Sequence, residues 1–431
     1  MKERSHKSQL LRIKSILQSL RTTGLFHIFG SGTLVQLVAF LSNIIIVNLV
    51  SKEEYGLFSY AANIYAMVMI MSGLGSSQTM LQFASEQFHN ERKKRAIYQY
   101  ALMFGIVANA FFCLIVILVG FIYPFGVQGA QLLIFMYAAL PIFQYLNEYQ
   151  TIYLRCERKN KAYSLVNLLF AVLQLIFSII GAILFGVEGF ILAQYTAVII
   201  IVVLSWKLYR IPFEMSFKGL YRKERKEFIK FSLIVSAGNG FSQLKSVASS
   251  FVLGLLMPNA ALLASYNVAI KIPVALLFVP SALCVYLYPY FAEHINDAKW
   301  CLKNFYRSLV GIFIINLVIT LFTIVLAEQI IVFAFGEEYR DAVGIFVIMA
   351  INFLLAGTFN TLPGNLLGAQ RKFAYNLGVN VVVGSLSVIL SILLIPLFNG
   401  GEGAAFAILL STIVSGCCYT FKLISIYKSK L

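Results

Sequence analysis

The sequence predicts an all-α, polytopic membrane protein with twelve transmembrane helices in two pseudo-symmetric six-helix lobes. Three observations carry this expectation. Hydrophobic residues make up 60% of the chain and charged residues 12%, with a mean hydropathy of +0.83, where a soluble domain is about 25% charged. The 431 residues hold roughly a dozen apolar runs of ~20 residues, the length that crosses a bilayer as a helix. Lys and Arg also alternate between rich and poor from one connection to the next.

Residues 1–24 read as a cytoplasmic amphipathic segment. Leu10, Ile13, Leu17 and Leu20 recur at helical spacing among Lys7, Arg12, Lys14 and Arg21, a pattern that lies on an anionic membrane surface; the alternative is a frayed tail. No small-residue cleavage site follows a short apolar core, so no cleavable signal is expected. The spans are expected at 25–50, 56–82, 97–122, 130–153, 163–186, 188–208, 229–256, 260–289, 306–327, 341–366, 376–398 and 403–424. Residues 25–208 would form an N-lobe and 229–431 a C-lobe, with a basic cytoplasmic linker at 209–228.

Of the 34 Lys and Arg residues, all but four fall in the N-terminal segment, the even-numbered connections and the C-terminal tail. By the positive-inside rule that side is cytoplasmic, and both termini lie on it. The formal charge of +16 and pI near 9.5 therefore report topology, and no nucleic-acid partner is expected. The opposite side carries Lys52 and Arg340 among short connections whose acids include Glu53, Glu54, Glu188, Glu337, Glu338, Asp341 and Glu402. None of those connections has the length of a catalytic domain.

The halves look like copies. Ser59-Tyr60-Ala61-Ala62-Asn63-Ile64 recurs as Ser265-Tyr266-Asn267-Val268-Ala269-Ile270, and Ala162-Tyr163 with Val187-Glu188-Gly189 recurs as Ala374-Tyr375 with Gly401-Glu402-Gly403. Six spans per copy preserve orientation, so the repeats are parallel about the membrane normal and leave a substrate cavity between the bundles.

Lys245 and Lys271 are the remaining two cations. Each sits inside an apolar run, ~18 Å along its helix from the Met257–Asn259 turn and therefore near the midplane. An ammonium facing lipid there costs about 2.5 kcal/mol or more, so both should face a wet cavity or a partner. A transporter for an anionic substrate follows. The alternatives are a neutral lysine tied to a backbone carbonyl, or one paired with a buried carboxylate.

Four stretches carry a family resemblance: Ser51-Lys52-Glu53-Glu54-Tyr55-Gly56-Leu57-Phe58, Leu154-Arg155-Cys156-Glu157-Arg158, Phe335-Gly336-Glu337-Glu338-Tyr339, and Pro396-Leu397-Phe398 followed by Gly401-Glu402-Gly403-Ala404-Ala405. On them the chain resembles the multidrug/oligosaccharidyl-lipid/polysaccharide (MOP) exporter superfamily, and within it the O-antigen type polysaccharide-unit flippases. The resemblance implies alternating access by two lobes. It also implies transfer of an undecaprenyl-pyrophosphate-linked oligosaccharide from the inner to the outer leaflet of the bacterial inner membrane. Twelve spans differ from the fourteen usual in lipid II flippases. Lys245 and Lys271 would then meet the pyrophosphate as point charges that allow release. Gln36, Asn43, Tyr60, Asn239 and Gln243 would line the passage, interhelical hydrogen bonding being the alternative for each. The further partners expected are membrane lipid, a coupling ion (H+ or Na+) and a polysaccharide polymerase complex. A multidrug or cation antiporter of the same superfamily is the rival, although two lysines repel cationic drugs. A membrane polysaccharide polymerase or acyltransferase is the rival from another class.

Glu148 is the acid clearly inside an apolar run, about two turns before Arg155. Two roles are open to it: an ion-coupling carboxylate, or a gate strut bonded to Arg155 or Arg158. Pro273 and Pro280 predict a bend in span eight. The six cysteines form no CxxC pair and the four histidines are scattered, so neither disulfides nor metal ligands are expected. With no P-loop or HExxH motif, the chain is expected to be a non-enzyme without cofactor.

Overall fold

The computed structural model describes residues 25–122, 129–216, 219–370, 372–398 and 400–431, and its described residues are helical without a strand. The expected amphipathic segment at 1–24 lies outside them. The helices are α1 (Leu25–Leu49), α2 (Lys52–Ile70), α3 (Ser76–Glu86), α4 (Glu91–Ile122), α5 (Ala130–Ala138), α6 (Leu140–Cys156), α7 (Asn160–Tyr209), α8 (Arg222–Leu256), α9 (Ala260–Leu276), α10 (Phe278–Glu293), α11 (Ala298–Val325), α12 (Ala327–Phe335), α13 (Val343–Leu355), α14 (Leu362–Ala369), α15 (Phe373–Leu394) and α16 (Gly401–Ser429). Among the described residues nine helical stretches are long and apolar enough to cross a membrane, and Leu34–Leu49 and Val247–Leu256 are shorter apolar helices. The 50-residue α7 covers two expected spans, so the pattern is consistent with twelve crossings. This is a multi-pass membrane protein.

Within α7 the chain turns at Phe185 and Gly186, whose φ is +57°. A Cβ on Gly181 would lie 2.2 Å from the Gly189 carbonyl oxygen. In a straight helix these residues stand ~12 Å apart, so the chain folds back as the sequence predicts at 186–187. The second copy of the motif is built alike: a Cβ on Gly403 would lie 2.2 Å from the Leu394 carbonyl oxygen. In both copies the last glycine of Val187-Glu188-Gly189 and Gly401-Glu402-Gly403 lets one backbone rest on another.

Elsewhere the spans are less regular than their apolar runs suggest. Span two breaks between α2 and α3, where Gly73, Leu74 and Gly75 have φ of 55°, 48° and 75°. Span ten passes through a π-helical stretch, Ala356–Thr361, between α13 and α14. Span eight breaks at Leu277, between Pro273 and Pro280, where a bend is predicted. The connection expected at 327–340 is structured as α12 and a 3-10 turn, Glu337–Ala342.

Packing divides the chain into two compact units. The first holds the described residues up to Ile46 with Ser72–Ile115 and Ala139–Val235; the second holds Val47–Met71, Val116–Ala138 and Ser236–Leu431. These units are defined by contacts and are distinct from the two sequence halves. In the first unit Phe228 is fully buried with Tyr100 and Phe83 edge-on at 5.2 and 5.8 Å. At the basic end of this unit, buried Lys94 bridges Glu91 (2.8 Å) and Glu157 (2.9 Å), and Arg95 grips Glu214. In the second unit a core forms around Phe305, Leu362, Leu366 and Tyr427. All six cysteines are free, and Cys156, Cys284 and Cys301 are buried as small apolar groups.

Candidate functional site

The second unit holds α2 and α9 packed against one another. Ser51 starts α2 with a capping box: its hydroxyl accepts from the Glu54 amide, and the Glu54 carboxylate accepts from the Ser51 amide. This fixes the first turn, which carries Lys52 and Tyr55. Tyr55 is 1% exposed, and its ring lies 5.9 Å from Phe58, which lies 6.3 Å from Tyr137. Lys271 is half-buried on α9, with Nζ 5.6 Å from the centroid of the Tyr55 ring. An aromatic face attracts an ammonium without cancelling its charge.

A clamp closes the same end of these helices. Lys52 Nζ donates to Asp341 Oδ1 at 2.7 Å and to the Glu338 carbonyl at 2.6 Å. Ser265 Oγ donates to Asp341 Oδ2 at 2.8 Å, and Lys52 stands 5.2 Å from the Tyr339 ring. Asn48 Nδ2 adds a bond to the Ala334 carbonyl at 2.8 Å. Deeper along α2, Asn63 Nδ2 donates to Ser250 Oγ, and Tyr60 is fully buried over Gly254.

The remaining expected residues are dispersed. Gln36 is exposed on α1, and Asn43 donates to the Ala39 carbonyl of its own helix at 2.8 Å. Gln243 is exposed on α8. The side chains of Lys245 and Asn239 lie outside the described residues. In the first unit Ser77 Oγ donates to Glu148 Oε1 at 2.5 Å. Arg155 is exposed and turned onto the Tyr163 ring at 5.6 Å, and Arg158 lies 4.0 Å from the Phe88 centroid. The structure therefore does not bring Glu148 and either arginine together. Sequence reasoning singled out neither Tyr55 nor the Lys52–Asp341 pair as site residues. Their signal was the Ser51–Tyr55 motif and a lone lysine among acids; the pairing spans 289 residues and needs the fold. No group of three or more His, Cys, Asp or Glu side chains able to hold a metal occurs among the described residues.

The described residues build broken apolar helices with charged and aromatic groups on packed faces. The solved structures agree on that fold. An inward-facing multidrug resistance MATE transporter of the MOP superfamily matches with a TM-score of 0.75 at 13% identity, over 92% of this chain and 96% of its own. The lipid II flippase MurJ in an inward closed conformation matches with 0.69 at 16% identity, over 93% and 87%. A MOP superfamily transporter from Pyrococcus furiosus, described as having a binding pocket of reverse polarity, matches with 0.63 at 13% identity, over 94% and 96%. A comparison with curated protein sequences returns no match. Residues 45–344 match the family model for polysaccharide biosynthesis proteins. The chain belongs to that family, and it has the fold of MOP transporters.

Proposed function

We propose that this protein flips an undecaprenyl-pyrophosphate-linked oligosaccharide from the inner to the outer leaflet of the bacterial inner membrane, by alternating access of two six-helix lobes. The observation that carries the reading is Lys271, an ammonium inside an apolar span held on the Tyr55 ring. The ring helps to position the charge, and a lysine binds a diphosphate as a point charge and releases it readily. Membership of the polysaccharide biosynthesis family supports a glycan cargo. Lys245, on α8, is the second ammonium of this proposed site. The Lys52–Asp341–Ser265 clamp is the gate on the outer side.

In a strain lacking its own polysaccharide-unit flippase, wild-type protein restores surface glycan. Lys271→Ala is expected to insert normally and restore less than a tenth of it. Full restoration by Lys271→Ala removes the site. Multidrug export is the second reading, favoured by the MATE match at a TM-score of 0.75. It predicts resistance to cationic drugs in cells and no transfer of a labelled polyprenyl-diphosphate oligosaccharide in proteoliposomes.

A further inference from the structure

Glu148 is a carboxylate in the apolar run of α6, and it forms no ion pair among the described residues. One hydroxyl, Ser77 Oγ, serves Oε1. Glu148 is half-buried within the protein and lies in an apolar run, where a charged carboxylate costs several kcal/mol unless it is paired; a single neutral donor offsets a fraction of that. The group is thus suited to hold a proton in one state and a charge in another.

Its neighbours show what the proton would control. Ser76 and Ser77 open α3 directly after the break at Gly73–Leu74–Gly75. Leu74, with φ of 48°, is a leucine held in the left-handed region, which costs of order 1 kcal/mol or more and persists only when neighbours enforce it. Three side chains do so. Asn109, fully buried on α4, accepts the Gly73 amide at 3.0 Å and donates to Ser72 Oγ at 3.3 Å and the Pro141 carbonyl at 3.2 Å. The Tyr145 hydroxyl donates to the Ala101 carbonyl at 2.6 Å, so Ser76 Oγ donates to Tyr145 at 2.8 Å. Glu148 is the third, and as an anion it also favours the positive end of α3. The chain passes from one compact unit to the other between Met71 and Ser72, at the start of this turn.

The groups around Glu148 supply no competing charge. Against α6 pack α3, the 72–75 turn, α4 and α7. The turn and the adjoining first turns of α3 bring the hydroxyls of Ser72, Ser76, Ser77 and Thr79, with Glu86 at the far end of α3. The buried cation on α4, Lys94, is taken by Glu91 and Glu157. Tyr98 and Tyr100 on α4 and Tyr145, Tyr149 and Cys156 on α6 are buried ionisable side chains that are neutral at ordinary pH, and Tyr195 on α7 is half-buried.

We infer that Glu148 is a proton-binding site whose occupancy sets the backbone of the Ser72–Gly75 turn. The anion takes the Ser77 hydroxyl and holds α3 at its present start. The neutral acid loses its pull on Ser77 and on the helix end, and the turn loosens. The inference is independent of the cargo. The full chain in lipid nanodiscs would be followed by hydrogen exchange across residues 70–80 over a pH series, corrected for intrinsic exchange chemistry. Wild type is expected to exchange several-fold faster there on the acid side, with one midpoint. Glu148→Gln should exchange at the acid level at every pH, and infrared difference spectra should lose a protonated-carboxyl band. Ser77→Ala, which keeps the acid but removes its donor, should move the midpoint upward. A pH-independent wild type, a Glu148→Gln variant with the wild-type profile, or an unmoved midpoint in Ser77→Ala overturns the inference.

Discussion

Lys52 and Lys271 lie on packed helices, and their neighbours differ. Lys52 meets the Asp341 carboxylate and a carbonyl, whereas Lys271 meets a ring. The first arrangement ties α2 to the Glu337–Ala342 turn by charge, and the second sets an ammonium against an aromatic face. Asp341→Asn removes the anion but keeps the shape. With the Lys52 side chain 17% and the Asp341 side chain 56% exposed, about 1 kcal/mol is at stake. Amide exchange in the first turns of α2 and at 337–342 should rise several-fold, with little change elsewhere. A pH effect belongs to this scale too. Arg95, then Gln99, hold the Glu214 carboxyl below its ordinary range by donating hydrogen bonds to the anion. A lowered folded value contributes stability above the unfolded pKa of about 4.3, and that stability is lost as pH falls through the folded value. Glu214→Gln should be clipped near that position by protease faster than wild type at neutral pH, and the difference should vanish in acid.

At the scale of elements, the repeated glycine is the most testable feature. Gly189 and Gly403 each sit where a side chain would meet main-chain atoms: a Cβ on Gly189 would lie 2.0 Å from the Gly181 oxygen. Valine at either position should cost ~1–3 kcal/mol or more by overpacking. The matched change at Gly311, which has open space around it, should be nearly neutral on thermal unfolding in detergent. How much was legible at this scale follows from the same physics. Apolar length announced the spans, and the Gly-bearing turn at 186–187 was readable because glycine tolerates its φ. The break at Ser72–Gly75 was hidden, because its Leu74 owes its conformation to side chains on other helices, Asn109 and Tyr145 among them. The π stretch at 356–361 has no sequence marker beyond Pro363. Lys271 stood out because cations are rare in such runs, whereas its partner Tyr55 is 216 positions away and only packing reveals it.

For the whole molecule, the distribution of charge makes the clearest forecast. If the basic connections face the cytoplasm, a fluorescent-protein fusion after Leu431 should glow and a phosphatase fusion at Glu188 should be active. Reversed outcomes would invert the topology and with it the direction of the proposed transfer. The fold shared with MATE transporters and MurJ at 13–16% identity shows that this architecture tolerates wide variation in its particular side chains.

The reversal at Phe185–Gly186 also bears on how the protein is made. With the backbone turning inside two residues, the crossings on either side emerge from the ribosome as a ready hairpin with no tail to thread between them. They should therefore enter the bilayer together during synthesis. A charge placed in one arm would be paid for by both, leaving the pair stranded outside the translocon rather than half inserted.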